Sequence, residues 1–408
     1  MYGLNYFSKR CFSNRVYMWS SRSKISRKPN DLKQQLSVKS GVPARVDFFD
    51  DKDPKRLFIG PRHSAVITGD GSLYTFGAGA WGVLGHGSEK GLNPTAPQKV
   101  EYFAERGIKI KECKWGEYHT VALTDDGQVY TWGYGGKVGY FSWMFAQEVG
   151  ALGHGDKKPY FIPKKVAFFD TVESKVKEIA AGLYHTIALL ENGDVYVWGR
   201  GQYGVLGNGS NSYSLIPSLN EEFANMKEEG LTVTKIDAAE ESTAVLTNTG
   251  EVFVFGKNDR GQLGIGSGIG IDMQESCSSP SPLIFEDGKD VRFSDLSIGQ
   301  NTMILKDIEG GIWKTGLKLD YNPRKLKLNS SKGFDVDIST LACGRKHYLL
   351  ANKSNQLLVW GNVFSGKSEV DIDGFNMYFG NTLFEKEKWI GLSAKYGIFG
   401  AITEQSIV

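Results

Sequence analysis

The chain has 408 residues, of which 40% are hydrophobic and 12% aromatic, enough for a large buried core and too many for wholesale disorder. It contains 50 glycines without a collagen-like period, which favours many tight turns between short strands. The formal net charge is only +2, and no apolar stretch is long enough to predict a transmembrane helix.

The first thirty residues differ in charge from the rest. They contain seven Lys or Arg residues and no acidic residue, with serines and aromatic residues between them. This composition is typical of a mitochondrial transit segment, so we expect a basic extension at 1–40 and a folded domain at 41–408. The run Arg10-Cys11-Phe12-Ser13 resembles a matrix-processing site with the cut after Phe12. A basic tail or a nuclear signal is the alternative, although the basic residues come only singly or in pairs.

Charge and cysteine spacing exclude several classes of partner and site. Without the first thirty residues the chain has 41 basic and 46 acidic residues, which disfavours nucleic acid as a partner. The four cysteines are far apart and form no C-x-x-C pair, so we expect buried thiols rather than a zinc site or a disulfide framework. No metal or cofactor is predicted. The cysteines are Cys11, Cys113, Cys277 and Cys343.

A repeated pattern begins near residue 60. Each copy has Gly-x-x-His, an apolar run, an Asp-Gly or Asn-Gly pair, and a second run that ends in an aromatic residue and Gly. Two alternating runs around such a pair predict a β-hairpin. The clearest copies begin at Gly60-Pro-Arg-His63, Gly116-Glu-Tyr-His119, Gly182-Leu-Tyr-His185 and Gly344-Arg-Lys-His347.

Further elements complete each repeat unit. A glycine-rich loop follows the hairpin, as in Leu84-Gly85-His86-Gly87, and another apolar strand, such as Val176 to Ala181, leads into the next Gly-x-x-His. With the weaker copies included, units start near 60, 116, 182, 239, 299, 344 and 395. Seven units of about four strands predict an all-β, seven-bladed β-propeller that is closed by joining the N- and C-terminal strands.

The repeat resembles the RCC1 (regulator of chromosome condensation) family over roughly residues 41–408, and its mitochondrial branch in particular. Gly-x-x-His-Thr, Gly-x-Val-Tyr-x-Trp-Gly and Leu-Gly-x-Gly carry the resemblance, most clearly in the first three units. The founding type of the family is a guanine-nucleotide exchange factor for a small GTPase on chromatin. Mitochondrial members are associated with respiratory-complex assembly, the mitochondrial ribosome and inner-membrane partners.

The repeat positions predict scaffolding rather than catalysis. All six histidines lie in repeat positions, so we expect each ring to tie a strand start to a neighbouring turn. No phosphate-binding loop, nucleophile elbow or zinc-protease motif occurs, so we predict no catalytic residues and no enzyme. The structural positions that we assign are His63, His119, His185, His347, Trp132, Trp198 and Trp360.

One departure from the repeat suggests an interaction site. The second unit carries an extra segment, Tyr134 to Ala151, between its second strand and its glycine loop. Aromatic and methionine side chains are favoured interface anchors, so we predict that this insertion contacts a partner. A loop that packs onto its own blade is the alternative. The predicted anchors are Tyr140, Phe141, Trp143, Met144 and Phe145.

Together these observations predict a mitochondrial scaffold without catalytic activity, in the matrix or at the inner membrane. The resemblance implies an accessory subunit or assembly factor of a large complex, either the respiratory chain or the mitochondrial ribosome. Its partners would be protein subunits, and peripheral membrane association stays open. The alternative function is guanine-nucleotide exchange on a small GTPase, because a shared fold does not choose between these roles.

Overall fold

The computed structural model describes a chain that is built almost entirely of short antiparallel strands. The described residues are 14–20, 44–60, 63–88, 94, 96–136, 150–266, 275–286, 288–317, 320–326, 337–344, 347–354, 356–361, 377–379, 387–395 and 398–405.

The strands of this described part have between two and nine residues. They are β1 (Asn14–Ser20), β2 (Ala44–Arg45), β3 (Pro54–Ile59), β4 (His63–Thr68), β5 (Leu73–Gly77), β6 (Gln98–Lys99), β7 (Ile110–Trp115), β8 (His119–Thr124), β9 (Val129–Gly133), β10 (Tyr160–Lys165), β11 (Val176–Ala181), β12 (His185–Leu190), β13 (Val195–Gly199), β14 (Ser214–Leu219), β15 (Val233–Ala238), β16 (Ser242–Thr247), β17 (Val252–Lys257), β18 (Ser276–Pro282), β19 (Phe293–Ile298), β20 (Thr302–Asp307), β21 (Ile312–Gly316), β22 (Asp320–Lys325), β23 (Ile338–Cys343), β24 (His347–Asn352), β25 (Leu357–Gly361), β26 (Met377–Phe379), β27 (Glu387–Lys395) and β28 (Ile398–Gln405). Two short helices, Glu101–Ala104 and Glu221–Glu228, lie between blades, and 3-10 turns cover Asp47–Phe49, Ala80–Gly82, Ala167–Thr171 and Gln202–Gly204.

Six blades are each built from four consecutive strands, and this corrects the predicted architecture of seven repeat-built blades. These blades are β3–β6, β7–β10, β11–β14, β15–β18, β19–β22 and β23–β26. The last predicted unit, which starts near 395, does not make a blade from consecutive strands. Of the described strands it contains only β28, which joins β1, β2 and the preceding strand β27 in a composite sheet of order β2-β1-β28-β27. The described residues therefore form six repeat blades and one closing sheet.

The closing sheet joins the two ends of the chain, as the sequence predicts. β1 pairs with β28 along its full length, from Asn14 opposite Glu404 to Ser20 opposite Ile398. Part of the segment that we expected to be an extension, 1–40, is thus a strand of the folded domain. Val16 and Met18 are fully buried there, which explains why this strand belongs to the core.

The predicted frame of the repeat is shifted by one strand. The apolar strand before Gly-x-x-His is present, and β11 has the predicted bounds Val176–Ala181. It pairs with the hairpin that follows it, so it is the first strand of that blade and not the last strand of the preceding one. The Asp-Gly and Asn-Gly turns are confirmed between the second and third strands. Sequence order alone does not show which neighbouring hairpin such a strand pairs with.

The first strands of neighbouring sheets contact one another around a central axis. β3, β7, β11, β15, β19, β23 and β27 follow in this order, and β27 contacts both β23 and β3, so the ring is closed. Apolar side chains from adjacent sheets pack between them. One cluster, for example, joins Ala65 and Ile67 of the first blade to Ile110, Trp115 and Trp132 of the second. Burial between sheets thus stabilises the ring.

The antiparallel order gives the ring two distinct faces. The connections from first to second strand and from third to fourth strand emerge at one face, which we call the loop face. The tight turns between second and third strands and the connections between blades emerge at the other, the turn face. On the turn face, the Asn220 side chain accepts a hydrogen bond from the Phe223 amide at 3.2 Å and caps the helix Glu221–Glu228.

Candidate functional site: the loop face

The histidines of Gly-x-x-His lie between blades. Nε2 of His119 is 3.1 Å from Oγ1 of Thr186, and Nε2 of His185 is 3.1 Å from Oγ1 of Thr243. Each partner belongs to a strand of the next blade, which corrects the predicted bond to a neighbouring turn. His63 is buried with its ring edge-on to Trp115, at 4.1 Å between ring centroids. Burial lowers the pKa of His347 to about 3, so this ring is neutral.

The glycine and the histidine of the motif require each other. A Cβ placed on Gly116 would collide with the ring of His119, and one on Gly182 would collide with the ring of His185. The imidazole therefore occupies the space that a side chain would need. Gly344 and His347 have the same relationship. This steric coupling explains the spacing of Gly-x-x-His.

The motif tryptophans also join blades. Trp132 and Trp198 are completely buried. The indole Nε1 of Trp132 donates to the Val83 carbonyl at 2.7 Å, and that of Trp198 donates to the Ala151 carbonyl at 2.9 Å. Both acceptors lie in the glycine loop of the preceding blade. Trp360 lies in β25, but its side chain is outside the described residues.

The histidines of the glycine loops also hydrogen-bond to threonines. Nε2 of His86 is 2.9 Å from Oγ1 of Thr75, and Nε2 of His154 is 3.0 Å from Oγ1 of Thr131. Burial lowers the pKa of both rings, that of His154 to about 4. Neutral rings that are held within their own blade act as structural groups.

The predicted anchors of the insertion lie outside the described residues. Tyr140, Phe141, Trp143, Met144 and Phe145 fall in the range 137–149, and the prediction for them stays a prediction. The described residues on either side, up to Gly136 and from Gly150, belong to a connection between third and fourth strands. The insertion is therefore attached at the loop face.

A row of aromatic side chains crosses the loop face of the first three blades. The ring centroids of Trp81 and Tyr134 are 5.2 Å apart, and those of Tyr134 and Tyr118 are 6.3 Å apart. Tyr118 and Tyr184 are stacked at 6.1 Å with an interplanar angle of 23°. Burial, followed by the charge of Glu117, raises the pKa of Tyr184 to about 12, so its phenol is neutral. We call Trp81, Tyr134, Tyr118 and Tyr184 the aromatic row.

Backbone geometry directs two aromatic side chains of this face. Trp81 has φ 61° and Tyr203 has φ 62°, in equivalent turns of the first and third blades. Bulky residues rarely adopt this left-handed conformation, which costs about 1 kcal/mol or more. Trp81 nevertheless keeps 37% of its surface exposed. Strain of this kind is concentrated at functional sites, which makes these turns candidates for binding.

A shallow groove lies beside the row, between the third and fourth blades. We define the Arg200 groove by Tyr184, Arg200, Tyr203, Glu240 and Glu241. The guanidinium carbon of Arg200 is 5.6 Å from the centroid of the Tyr184 ring. Burial lowers the pKa of Arg200, and the charge of Glu241 offsets only part of this effect.

A paired cation contacts two residues of the groove, Tyr203 and Glu241. Nζ of Lys257 lies 4.7 Å from the centroid of the Tyr203 ring and donates to Oε2 of Glu241 at 2.8 Å. Burial would lower the pKa of Lys257, but its hydrogen bond and charge interaction with Glu241 outweigh this and raise it. Lys257 and Glu241 therefore neutralise each other.

The centre of the ring holds a second polar region. A cavity of about 250 Å³ is lined by the first strands of the blades and the closing sheet. Nζ of Lys114 is 3.2 Å from Oε1 of Glu112, and Oε2 of Glu178 accepts from the Ile236 amide of the next blade at 3.3 Å. Burial and the nearby Glu112 charge raise the pKa of Glu178 to about 7. The contact between Glu178 and Ile236 links the first strands of the third and fourth blades.

In the described ranges of the chain, no group of three or more His, Cys, Asp or Glu side chains is placed to hold a metal ion. Cys113, Cys277 and Cys343 are buried free thiols. No helix of the described part has the length and apolar character needed to cross a membrane.

The aromatic row and the Arg200 groove were not predicted from the sequence. Tyr118 and Tyr184 both stand directly before a motif histidine, and Arg200 follows the Trp-Gly pair of the third unit. The repetition of tyrosine directly before the motif histidine was therefore a signal that the sequence contains. It indicates a shared surface only once the fold is known, because the fold brings these connections together at the loop face.

Comparison with known proteins identifies similar chains. The family model described as RCC1-like domain matches residues 11–322, a range that includes β1. The ultraviolet-B receptor UVR8 of Arabidopsis thaliana is 27% identical over 337 residues, which is 80% of this chain and 69% of that protein. The mitochondrial RCC1 domain-containing protein RUG3 of the same organism is 30% identical over 239 residues, 57% of this chain and 49% of RUG3.

A solved structure extends the similarity to the whole fold. Prp20p from Saccharomyces cerevisiae superposes with a TM-score of 0.76 at 18% identity, covering 98% of this chain and 94% of Prp20p. Its crystal structure is described together with its binding properties to Gsp1p and histones. At this level of identity the similarity shows the fold alone.

Proposed function

Because this chain belongs to the RCC1-like domain family, we propose that it is a protein-binding scaffold of mitochondria that uses its loop face to hold a partner. In this proposal it serves as an accessory subunit or assembly factor of a large complex, the respiratory chain or the mitochondrial ribosome. It acts through binding and not through catalysis.

The aromatic row is the observation that carries the proposal. Tyrosine and tryptophan dominate the energetics of protein interfaces, because their rings offer a large rigid surface together with a polar group. Tyr118 and Tyr184 are half-buried and stacked on each other, so they lose little conformational freedom when a partner covers them. The predicted anchors of the insertion Tyr134 to Ala151 would add to this surface, because the described ends of that insertion lie at the same face.

The mitochondrial part of the proposal is supported by the N-terminal composition and by RUG3. Seven basic and no acidic residues among the first thirty favour import. The predicted cut after Phe12 would leave β1 intact, since this strand begins at Asn14. Import with removal of the leader is therefore compatible with a closed ring.

The experiment compares two double variants with matched aromatic losses. Tyr118→Ala/Tyr184→Ala removes the stacked pair of the loop face, and Tyr102→Ala/Tyr196→Ala removes two half-buried tyrosines near the turn face. Tagged chains would be purified from gently solubilised mitochondria and their associated proteins measured by mass spectrometry. We expect the first variant to lose its associated subunits at least tenfold and the second to keep them. Equal retention by both would overturn the proposed loop-face site.

Guanine-nucleotide exchange is the second candidate function, favoured by the family to which the chain belongs. Exchange requires a GTPase as the partner and accelerates nucleotide release from it. If a small GTPase is recovered in place of complex subunits, a nucleotide-release assay with that GTPase would decide for exchange.

A further inference from the structure

We propose that the cavity at the centre of the ring, which we call the axial cavity, takes one arginine side chain of the partner protein. This inference rests on the proposed docking function of the loop face and adds the chemistry by which that face selects its partner. The occupant is an exposed arginine of the partner, with its guanidinium inside the cavity and its backbone outside, at the loop face.

The axial cavity opens towards the loop face. At its inner end it is lined by Glu178 and Lys235, from the first strands of the third and fourth blades. At its outer end it is lined by Glu240 and Gln300, from loops of the loop face. Glu240 also lines the Arg200 groove together with Tyr184, so the mouth of the cavity adjoins the aromatic row. The volume of about 250 Å³ lies below the range of about 300–1,000 Å³ that is typical for small-molecule sites, and it suits a single long side chain.

The two lysines of the cavity lining are already paired with carboxylates. Nζ of Lys114 is 3.2 Å from Oε1 of Glu112. Nζ of Lys235 donates to Oδ1 of Asp295 and, at 2.9 Å, to the Leu296 carbonyl. Because each ammonium group has its own counterion, these lysines do not present an excess of positive charge that would repel a second cation.

Three further carboxylates line the same cavity, those of Glu178, Asp237 and Glu240. Glu178 and Asp237 each accept a hydrogen bond from a backbone amide of the next blade, and among the described residues neither forms an ion pair. Burial would lower the pKa of the Lys114 ammonium, but nearby carboxylates, with Glu112 the strongest, outweigh burial and raise it. The interior of the cavity is therefore favourable for positive charge.

Two features of the lining favour arginine over other cations. Oε1 of Gln300 is buried and has no hydrogen-bond partner in the described part of the chain, a state that is rare for buried polar atoms and calls for a donor. A guanidinium has five N–H donors in one plane, so it can serve this oxygen and a carboxylate together. Leu57, Ile236 and Ile298 add an apolar wall, against which the methylene groups of an arginine can pack.

The test uses Nα-acetyl-arginine methylamide as the probe and the corresponding citrulline derivative as its neutral analogue of nearly equal shape. The full chain, with ¹³C-labelled isoleucine methyl groups, would be titrated with each compound at pH 8. At this pH the Glu178 carboxyl group is mostly charged, because its pKa is about 7. The methyl signals of Ile236 and Ile298 report on the cavity, and that of the exposed Ile162 on the outer surface.

We expect the arginine derivative to shift the signals of Ile236 and Ile298 with saturation in the millimolar range and to leave that of Ile162 in place. The citrulline derivative should shift none of them. Identical shifts from both compounds, or no shift from either, would overturn the subsite. A lysine derivative that binds as tightly as the arginine derivative would overturn the assignment to arginine.

Two substitutions separate this subsite from the broader docking function. Glu178→Gln keeps the shape of the side chain and removes the inner carboxylate, and we expect about fivefold weaker retention of the partner with a melting temperature no lower than that of wild type. Glu191→Gln, at an exposed turn of the same blade, is the matched control and should retain the partner. Equal loss by both glutamine variants would overturn the subsite.

The outcome for the docking function is read from the same set of variants. Full retention by Glu178→Gln, while Tyr118→Ala/Tyr184→Ala loses the partner, would overturn the subsite and leave the docking function standing. Retention by all variants would overturn both.

Discussion

Nε2 of His119 lies 3.1 Å from Oγ1 of Thr186 across the boundary between two blades. The same Thr186 hydroxyl is 3.2 Å from the Ala151 carbonyl in the glycine loop of the second blade, so it links strand, loop and histidine. His185 and Thr243 repeat the contact at the next boundary. In the fifth blade Thr302 stands in the histidine position and hydrogen-bonds the hydroxyl of Tyr348. The repeat motif thus encodes contacts between blades as well as hairpins.

Thr186→Val should weaken one of these boundaries. The substitution keeps the shape of the side chain but removes its hydroxyl, which leaves the buried His119 ring and the Ala151 carbonyl without this partner. We expect a loss of about 1–3 kcal/mol in the free energy of unfolding, measured by urea denaturation. Thr171→Val, at an exposed turn, is the control and should change stability by less than about 0.5 kcal/mol. Equal effects would contradict the boundary role of the bond.

Trp132→Ala should lower the free energy of unfolding more than Thr186→Val, because Trp132 is completely buried between the first and second blades. The cavity alone should cost about 3–5 kcal/mol. The Val83 carbonyl would still accept from Thr120 at 2.7 Å, so the lost packing dominates over the lost hydrogen bond. Trp81→Ala, at an exposed position of the loop face, should cost less than about 1 kcal/mol. Thermal and urea unfolding of both variants would check the difference.

Glu178→Gln should raise stability in a pH-dependent way. The folded-state pKa of Glu178 is raised from 4.5 to about 7, so its favourable contribution is complete below pH 4.5 and is lost as the pH rises to about 7. Glu112 disfavours its charge, while Lys114 and Lys235 favour it. The glutamine variant should therefore unfold like wild type at pH 4.5 and be about 1–3 kcal/mol more stable at pH 8. A constant difference across this range would contradict the assignment.

Removal of the N-terminal strand should open the ring. A chain that starts at Ser13 keeps β1 and should melt within about 1 °C of the full chain. A chain that starts at 21 loses the burial of Val16 and Met18, worth about 1.5–3 kcal/mol for each side chain, and the hydrogen bond of Asn14 to the Pro54 carbonyl. Differential scanning calorimetry would compare the two. Equal melting temperatures would show that the closing sheet does not need β1.

The insertion of the second unit can be tested separately. Trp143→Ala/Phe145→Ala should release the partner while leaving the melting temperature of the propeller nearly unchanged, because anchor residues contribute to binding more than to folding. Loss of stability without loss of the partner would support the alternative, a loop that packs onto its own blade. Co-purification and thermal unfolding of the same preparation would give both readouts.

Much of the fold follows from local patterns in the sequence. Hairpins around Asp70-Gly71, Asp126-Gly127 and Asn192-Gly193 are present because turn chemistry and strand alternation act over a few residues. The bounds of β11 were predicted for the same reason. β1 itself was not predicted as a strand. Its pairing with β28 links residues almost 400 positions apart, and the basic residues around it suggested an extension although Val16 and Met18 alternate as in a strand.

The candidate site was less accessible to sequence analysis. Tyr118, Tyr184 and Arg200 come from three different connections, and only the ring brings them to one face. The left-handed backbone of Trp81 and Tyr203 likewise depends on close packing of the following glycines against the next blade. The position of the aromatic row and the left-handed backbone of Trp81 and Tyr203 therefore depend on contacts between blades, which the residue pattern of a single repeat unit does not reveal.

The most direct test of the scaffold function is the native size of the chain in gently solubilised mitochondria, with mass spectrometry of the proteins that co-migrate with it. We expect the wild-type chain to migrate far above monomer size with respiratory-chain or ribosomal subunits, and Tyr118→Ala/Tyr184→Ala to shift it to the monomer position. A wild-type chain that migrates alone, or paired with one small GTPase, would contradict the scaffold function.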